Sequence, residues 1–340
     1  MMLRWSASVR TERGIGCRDW SSLRIYYDSY QEGVWFGGLH ESLADAELLA
    51  FPRINSQLPT RLQEVLSYDR PDVVLTDDND IPLLVLERTV EVPSGHNPGQ
   101  RFARLAQAAR CGVPAVYVCP YAAFKHGGET SGPRYMNLRL FKAIDAVMQI
   151  ERSPITTIRW PVDDSYEIIF GPEKDERLKA YLDLHLDLLV NGDLEQARVG
   201  ILESTFEAAQ ELERVVFTDT EVLRPQRYDG PPPSVRIGPV SAHPELVGAG
   251  FPTDREIVLY DIGMRNVRSD PYTGMAILYA YLYCGGMNNR TRALVLNFSH
   301  IDRQQWIVAA GSGRRKDIRL FREVADAIRF ADGIVYRADL

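Results

Sequence analysis

Pro71-Asp-Val-Val-Leu-Thr-Asp-Asp-Asn-Asp-Ile-Pro-Leu-Leu-Val-Leu-Glu-Arg-Thr89 is the stretch whose reading decides the fold. Val73 to Leu75 and Leu83 to Leu86 are short, continuous apolar runs of the kind a buried strand needs. Between them, Thr76 to Pro82 is a polar turn, with acidic and amide side chains that favour tight backbone reversals. The reading is a hairpin of strands near residues 71–75 and 83–90. Reversal of direction brings Asp72, at the start of one strand, and Glu87, at the end of the next, to the same end of the sheet. Two carboxylates so placed repel each other unless a cation lies between them. Mg²⁺ suits the position because it accepts one or two carboxylates and fills its other sites with water and phosphate oxygen.

Downstream, Asn97-Pro98-Gly99 opens a helix with proline in its first turn. The helix runs from about Gln100 to Arg110 and stops at Cys111-Gly112. Pro114 to Cys119 then reads as a buried strand, which makes the helix a crossover between neighbouring strands. Upstream, His40 to Ala50 reads as a helix carrying Glu47. The expected class is α/β, with a mixed central sheet flanked by helices.

The residues Pro71-Asp72 … Glu87-Arg88-Thr89, in this order of elements, resemble the PD-(D/E)xK nuclease motif over about 85 residues. The overall plan is most similar to restriction-type endonucleases. The resemblance implies that Asp72 and Glu87 bind Mg²⁺ (Mn²⁺ as a substitute) and that Glu47 adds a further carboxylate. Most members carry lysine where this chain has Thr89, a hydroxyl without charge. Glu91, on the same face, is a possible metal ligand, and Lys125, Arg101 or Arg104 could supply the missing cation. Gln100, Arg101 and Arg104 share a helix face that could grip a phosphate, and His96 stands in the loop before them. The Asp77-Asp78-Asn79-Asp80 cluster lacks the glycine and distal glutamate of a calcium loop and reads as a solvated turn.

The remainder reads as follows. Tyr135 to Ile144 is an amphipathic helix bearing Arg139 and Lys142. Glu173 to Glu213 has apolar residues at helical spacing and breaks at Asn191-Gly192-Asp193. Tyr228-Asp-Gly-Pro-Pro-Pro-Ser234 is a stiff turn. It separates residues 1–225, the nuclease core with its helical extension, from a C-terminal α/β unit, 226–340. That unit is expected to contain strand Glu256–Ile262, helix Tyr272–Cys284, strand Ala293–Phe298 and helix Asp317–Phe330. Arg265, Arg268, Arg314, Arg315 and Lys316 lie in its loops and are candidates for DNA contact and target recognition.

Composition narrows the class only loosely. The 340 residues are 45% hydrophobic and 25% charged, with a formal net charge of −7. The four cysteines form neither a CxxC pair nor a disulfide framework. No apolar run reaches the ~20 residues of a membrane span, and no signal peptide is evident, so the expected location is cytoplasmic. The functional expectation is a Mg²⁺-dependent, sequence-specific endonuclease acting on double-stranded DNA. Cutting both strands needs two sites, hence a homodimer. The alternatives are an RNA or structured-DNA nuclease in defence or repair, and a catalytically inactive module that binds nucleic acid or protein.

Overall fold

A computed structural model of the chain describes residues 23–95, 98–124 and 132–337. Two mixed sheets flanked by helices make up the architecture. The first sheet is built from β1 (Arg24–Tyr27), β2 (Glu47–Ala50), β3 (Val73–Thr76), β4 (Pro82–Arg88), β5 (Ala115–Cys119) and a sixth strand described below. Helix α1 (Tyr30–Gly37) links β1 to its parallel neighbour β2, and α2 (Thr60–Val65) precedes β3. Strand β1 also pairs antiparallel with β3, and β3 with β4. Helix α3 (Pro98–Arg110) then crosses to β5, which runs parallel to β4.

A small hairpin, β6 (Ala122–Ala123) with β7 (Arg134–Tyr135), leads into α4 (Leu138–Glu151) and then β8 (Ile155–Arg159), parallel to β5. The order of the first sheet is therefore β2-β1-β3-β4-β5-β8. Alternation along the strands sorts the side chains. Val74, Val85, Ala115 and Tyr117 enter the core under α3 and α4. Val73, Leu75, Leu84, Leu86, Val116 and Val118 enter a second core, under α1 and the helical extension.

That extension is α5 (Glu176–Asn191), α6 (Leu194–Leu202) and α7 (Thr205–Thr220). Gly192 follows α5 and the Asp193 side chain caps α6, as the Asn-Gly-Asp break predicts. A further break at Glu203-Ser204, where Ser204 caps α7, makes three helices of a stretch expected to be two.

The second sheet comprises β9 (Val235–Pro239), β10 (Glu256–Ile262), β11 (Ala293–Phe298), β12 (Ala327–Phe330) and β13 (Val335–Arg337), in the order β13-β12-β11-β10-β9. Helix α8 (Pro244–Gly248) lies between β9 and β10, and α9 (Tyr272–Tyr279) between β10 and β11. A π-helical turn, Ala280–Cys284, extends α9. Helices α10 (Arg303–Gly311) and α11 (Arg315–Val324) precede β12. The expected helix Asp317–Phe330 is thus corrected: it stops at Val324, and Ala327–Phe330 is a strand parallel to β11. The apolar run Ala-Ile-Arg-Phe fits either structure, and burial within the sheet decides for the strand.

A second correction falls on residues 40–50. A short 3₁₀ turn, Glu41–Leu43, and strand β2 stand where a single helix was expected. Glu47, Leu48 and Leu49 pair along β1, and that tertiary contact overrides their helix propensity.

The two sheets share one core, because α3 packs along α9. Their closest approach is at Gly99 and Gly274, where a Cβ on Gly274 would overlap the Gly99 carbonyl. Small residues on α3, namely Ala103 and Ala106, admit Phe102 and Tyr281 edge to face, with ring centroids 6.1 Å apart.

Candidate metal centre at the end of the first sheet

The β3–β4 register pairs Val73 with Leu86, which sets Asp72 opposite Glu87 at the sheet end from which α3 departs. Asp72 is anchored by its Oδ2, which accepts from the Arg88 backbone N–H at 2.7 Å. Glu87 is fully buried. A carboxylate at that depth needs compensation, and α3 provides it. Arg104 Nη1 donates to Glu87 Oε1 and Oε2 at 2.8 and 2.9 Å, and Arg101 Nε lies 3.0 Å from Oε1. The i, i+3 spacing of Arg101 and Arg104 puts both on the helix face turned to β4.

A wider ring of charge surrounds this pair. Arg104 Nη2 donates to Asp69 at 2.9 Å, and Lys316 Nζ stands 3.6 Å from the other oxygen of Asp69. Glu32, on α1, lies 3.6 Å from Arg88 Nε and electrostatically raises Asp72. The Arg88 guanidinium covers the Trp35 ring, 4.4 Å from its centroid.

Burial raises both candidate ligands above ordinary carboxyl values. Asp72 moves up to about 6, chiefly through burial, with the Arg88 N–H opposing and Glu32 adding to the rise. Glu87 is pushed up to about 8: burial dominates, Arg104 and Arg101 pull the other way, and Asp72 repels. The folded site therefore favours the protonated carboxyls, a preference that a cation bound to them would oppose.

Two carboxylates, Asp72 and Glu87, are available to a divalent ion, with both oxygens of Glu87 already accepting from Arg104. Among the described residues no three His, Cys, Asp or Glu side chains gather to cage a metal. Mg²⁺ needs only one or two protein carboxylates, with water and phosphate oxygen completing its shell. Asp72 and Glu87 are the residues that would hold it. In this arrangement the guanidiniums of Arg101 and Arg104 supply the counter-charge to Glu87.

The other sequence candidates take different places. Arg101 and Arg104 join the site, but on its carboxylate rather than free on a helix surface. Gln100 turns to the second sheet, its Nε2 donating to Asp270. Thr89 follows Glu87 on the same face; its Oγ1 accepts from the Glu91 N–H at 3.0 Å and shapes the turn.

Glu47 is corrected. It lies on β2, level with Arg24 and hence at the Thr76 end of the sheet, opposite to the Asp72 end. There it is ion-paired with Arg24 at 3.1 Å. His96 and Lys125 lie outside the described residues.

Arg139 and Lys142 hold the 225–230 turn, donating to the carbonyls of Arg227, Gly230 and Tyr228. Arg265, Arg268 and Arg314 line a separate pocket of about 490 Å³ beyond β10. Arg315 and Lys316 are exposed in the first turn of α11.

Two residues of the site escaped the sequence reading. Asp69 carries no local signal. Glu32 did carry one: Ser29-Tyr-Gln-Glu32 has capping-box spacing, and the two side chains reciprocally cap α1.

No protein-family model matches the chain, and comparison with curated proteins and with solved structures gives no match.

Proposed function

We propose that the chain is a metal-dependent DNA endonuclease of the PD-(D/E)xK type, with Asp72 and Glu87 as its metal-binding carboxylates. One observation carries the reading. An acidic pair is set face to face across an antiparallel hairpin, at the point where a crossover helix leaves the sheet. An acidic residue ending an apolar strand, fully buried, is costly in a purely structural role.

When bound, a divalent cation polarises the phosphodiester and lowers the pKa of an attacking water. The protein's part is to hold that chemistry in place. The Arg88 N–H fixes one oxygen of Asp72, and Glu32 holds Arg88 from the other side. Arg104, itself positioned by Asp69, aims Glu87. A phosphate entering beside Glu87 would draw Arg101 off Oε1, lessening the competition for that oxygen and giving the charge that Thr89 lacks.

A second reading has its own support. Both oxygens of Glu87 already accept from Arg104, so the buried charge is balanced without metal. That arrangement favours a nuclease-like module that binds nucleic acid without cutting it.

One experiment separates the two. Purified protein is incubated with unmethylated phage DNA in Mg²⁺ or in EDTA, beside Glu87→Ala. Discrete fragments that need both Mg²⁺ and Glu87 establish the endonuclease. Absence of hydrolysis on DNA and RNA, with Mn²⁺ also tried, leaves the binding module.

A further inference from the structure

The second sheet repeats the path of the first. In the first, hairpin β3–β4 is followed by α3, parallel β5, a helix and parallel β8. In the second, antiparallel β9–β10 is followed by α9, parallel β11, helices and parallel β12.

The correspondence extends to single residues. Gly99 and Gly274 meet where α3 and α9 touch. Five residues further along each helix come Arg104 and Tyr279. Arg104 bears on Glu87, and Tyr279 bears on Tyr260, with ring centroids 4.9 Å apart. Glu87 stands opposite Asp72, and Tyr260 is paired with Val235. An acid pair with its arginine in one unit is thus an apolar and aromatic set in the other.

Beyond the end of β10 lies a cationic pocket. It has a volume of about 490 Å³ and is lined by Arg265, Arg268, Tyr272, Arg314 and Asp317, among others. Its charges are differently managed from those of α3. Arg265 has no ion pair among the described residues. Arg268 lies 5.5 Å from the Tyr272 ring centroid rather than on a carboxylate. The one acidic lining group, Asp317, is engaged by the Ser269 N–H at 3.0 Å. Positive charge therefore accumulates in a concave site of a chain whose net charge is −7.

The two sites approach one another. Gln100 is hydrogen-bonded to Asp270, and a row of contacts from Glu87 through Arg104 and Asp69 ends at Lys316, one residue before the pocket's Asp317. We infer that the C-terminal unit is a non-catalytic counterpart of the acidic unit, and that its arginine pocket grips a phosphodiester of the nucleic-acid strand held at Asp72 and Glu87. This rests on the proposed nuclease reading. A small anionic metabolite would fit the pocket alone, whereas the row of side chains that leads from Glu87 to Lys316, next to the pocket's Asp317, suits a polymer.

The test is binding in EDTA, where no cutting intervenes. Fluorescence anisotropy of a labelled DNA duplex is followed against salt for wild type, Arg265→Ala/Arg268→Ala and the corresponding double lysine variant. Both arginines are exposed, so the folded state should survive, and a thermal melt checks it. The double alanine variant should bind at least roughly tenfold more weakly, its log–log salt slope shallower by about 1, for the one phosphodiester no longer gripped. The double lysine variant should restore most of the slope.

Duplex binding by the double alanine variant equal to wild type overturns the inference, while Mg²⁺-dependent cleavage by the wild type would leave the nuclease reading intact. Failure of wild type to bind the duplex also overturns it. Binding that depends on the arginines, with no Glu87-dependent cleavage, upholds the pocket and removes the nuclease.

Discussion

Arg104 donates to both carboxylate oxygens of Glu87 through one nitrogen and to Asp69 through another, so a single guanidinium ties the buried end of β4 to the loop before β3. Removing one partner of a buried pair leaves the other uncompensated, typically at a cost of ~3–5 kcal/mol. Arg104→Ala should therefore lose stability on that scale in urea denaturation. Glu87→Gln/Arg104→Met should lose clearly less than the two single changes added together. Additive losses would show that Arg104 stabilises through packing alone.

The helix contact at Gly99 and Gly274 makes a sharper prediction. A methyl at Gly274 overlaps backbone, which no rotamer change relieves. Overpacking of this kind commonly costs ~1–3 kcal/mol and more where backbone must move. Gly274→Ala should lower the melting temperature by several degrees and loosen the seam between the sheets. Gly248→Ala, with open space around its Cβ, is the control and should be neutral. Equal melting temperatures for the two variants would contradict the close approach.

How far the sequence reaches is visible in these same residues. The β3–β4 hairpin, α3 and β5 were legible because apolar runs, a polar turn, Pro98 and Gly112 are local signals. Asp72 opposite Glu87 followed from the hairpin alone. Glu47 was misplaced because Glu-Leu-Leu-Ala reads as helix until a parallel partner strand is known. The roles of Arg101 and Arg104 turned on a charge buried across the sheet, and Asp69 is linked to them only in three dimensions. The likeness between the two units rests on strand pairing rather than on residue identity; Glu87 and Tyr260 share a place but no chemistry.

The raised carboxyls make a prediction about pH. Asp72 rises from 3.8 to about 6 and Glu87 from 4.5 to about 8. Each binds its proton more tightly folded than unfolded. The stability they lend is full below the unfolded values and is lost as pH climbs through 6 and then 8. Asn at position 72 does not titrate. Relative to wild type, Asp72→Asn should thus gain stability between about pH 4 and 7. At ~1.4 kcal/mol per pKa unit, discounted for the partial exposure of Asp72, the gain is on the order of 1–2 kcal/mol. Urea midpoints at pH 4.5 and 7.5 measure it; parallel pH profiles for the two proteins would refute it.

A bound divalent cation should reverse the sign of that comparison. A ligand that binds only the folded state stabilises it by RT ln(1 + [L]/Kd), about 2.7 kcal/mol at a hundredfold excess over Kd. Metal competes with protons for Asp72 and Glu87, so the rise in melting temperature with Mn²⁺ or Mg²⁺ should be larger at pH 8 than at pH 6. Asp72→Asn and Glu87→Gln should each abolish most of it. Arg101→Ala should enlarge it, because one guanidinium competing for Glu87 is gone while Arg104 still aims the carboxylate. Calorimetric scans with metal and with EDTA at the two pH values decide the matter. No metal-dependent shift in wild type or in Arg101→Ala would mean that the arginines are the permanent counter-ions of Glu87, and the endonuclease reading would give way to the binding module.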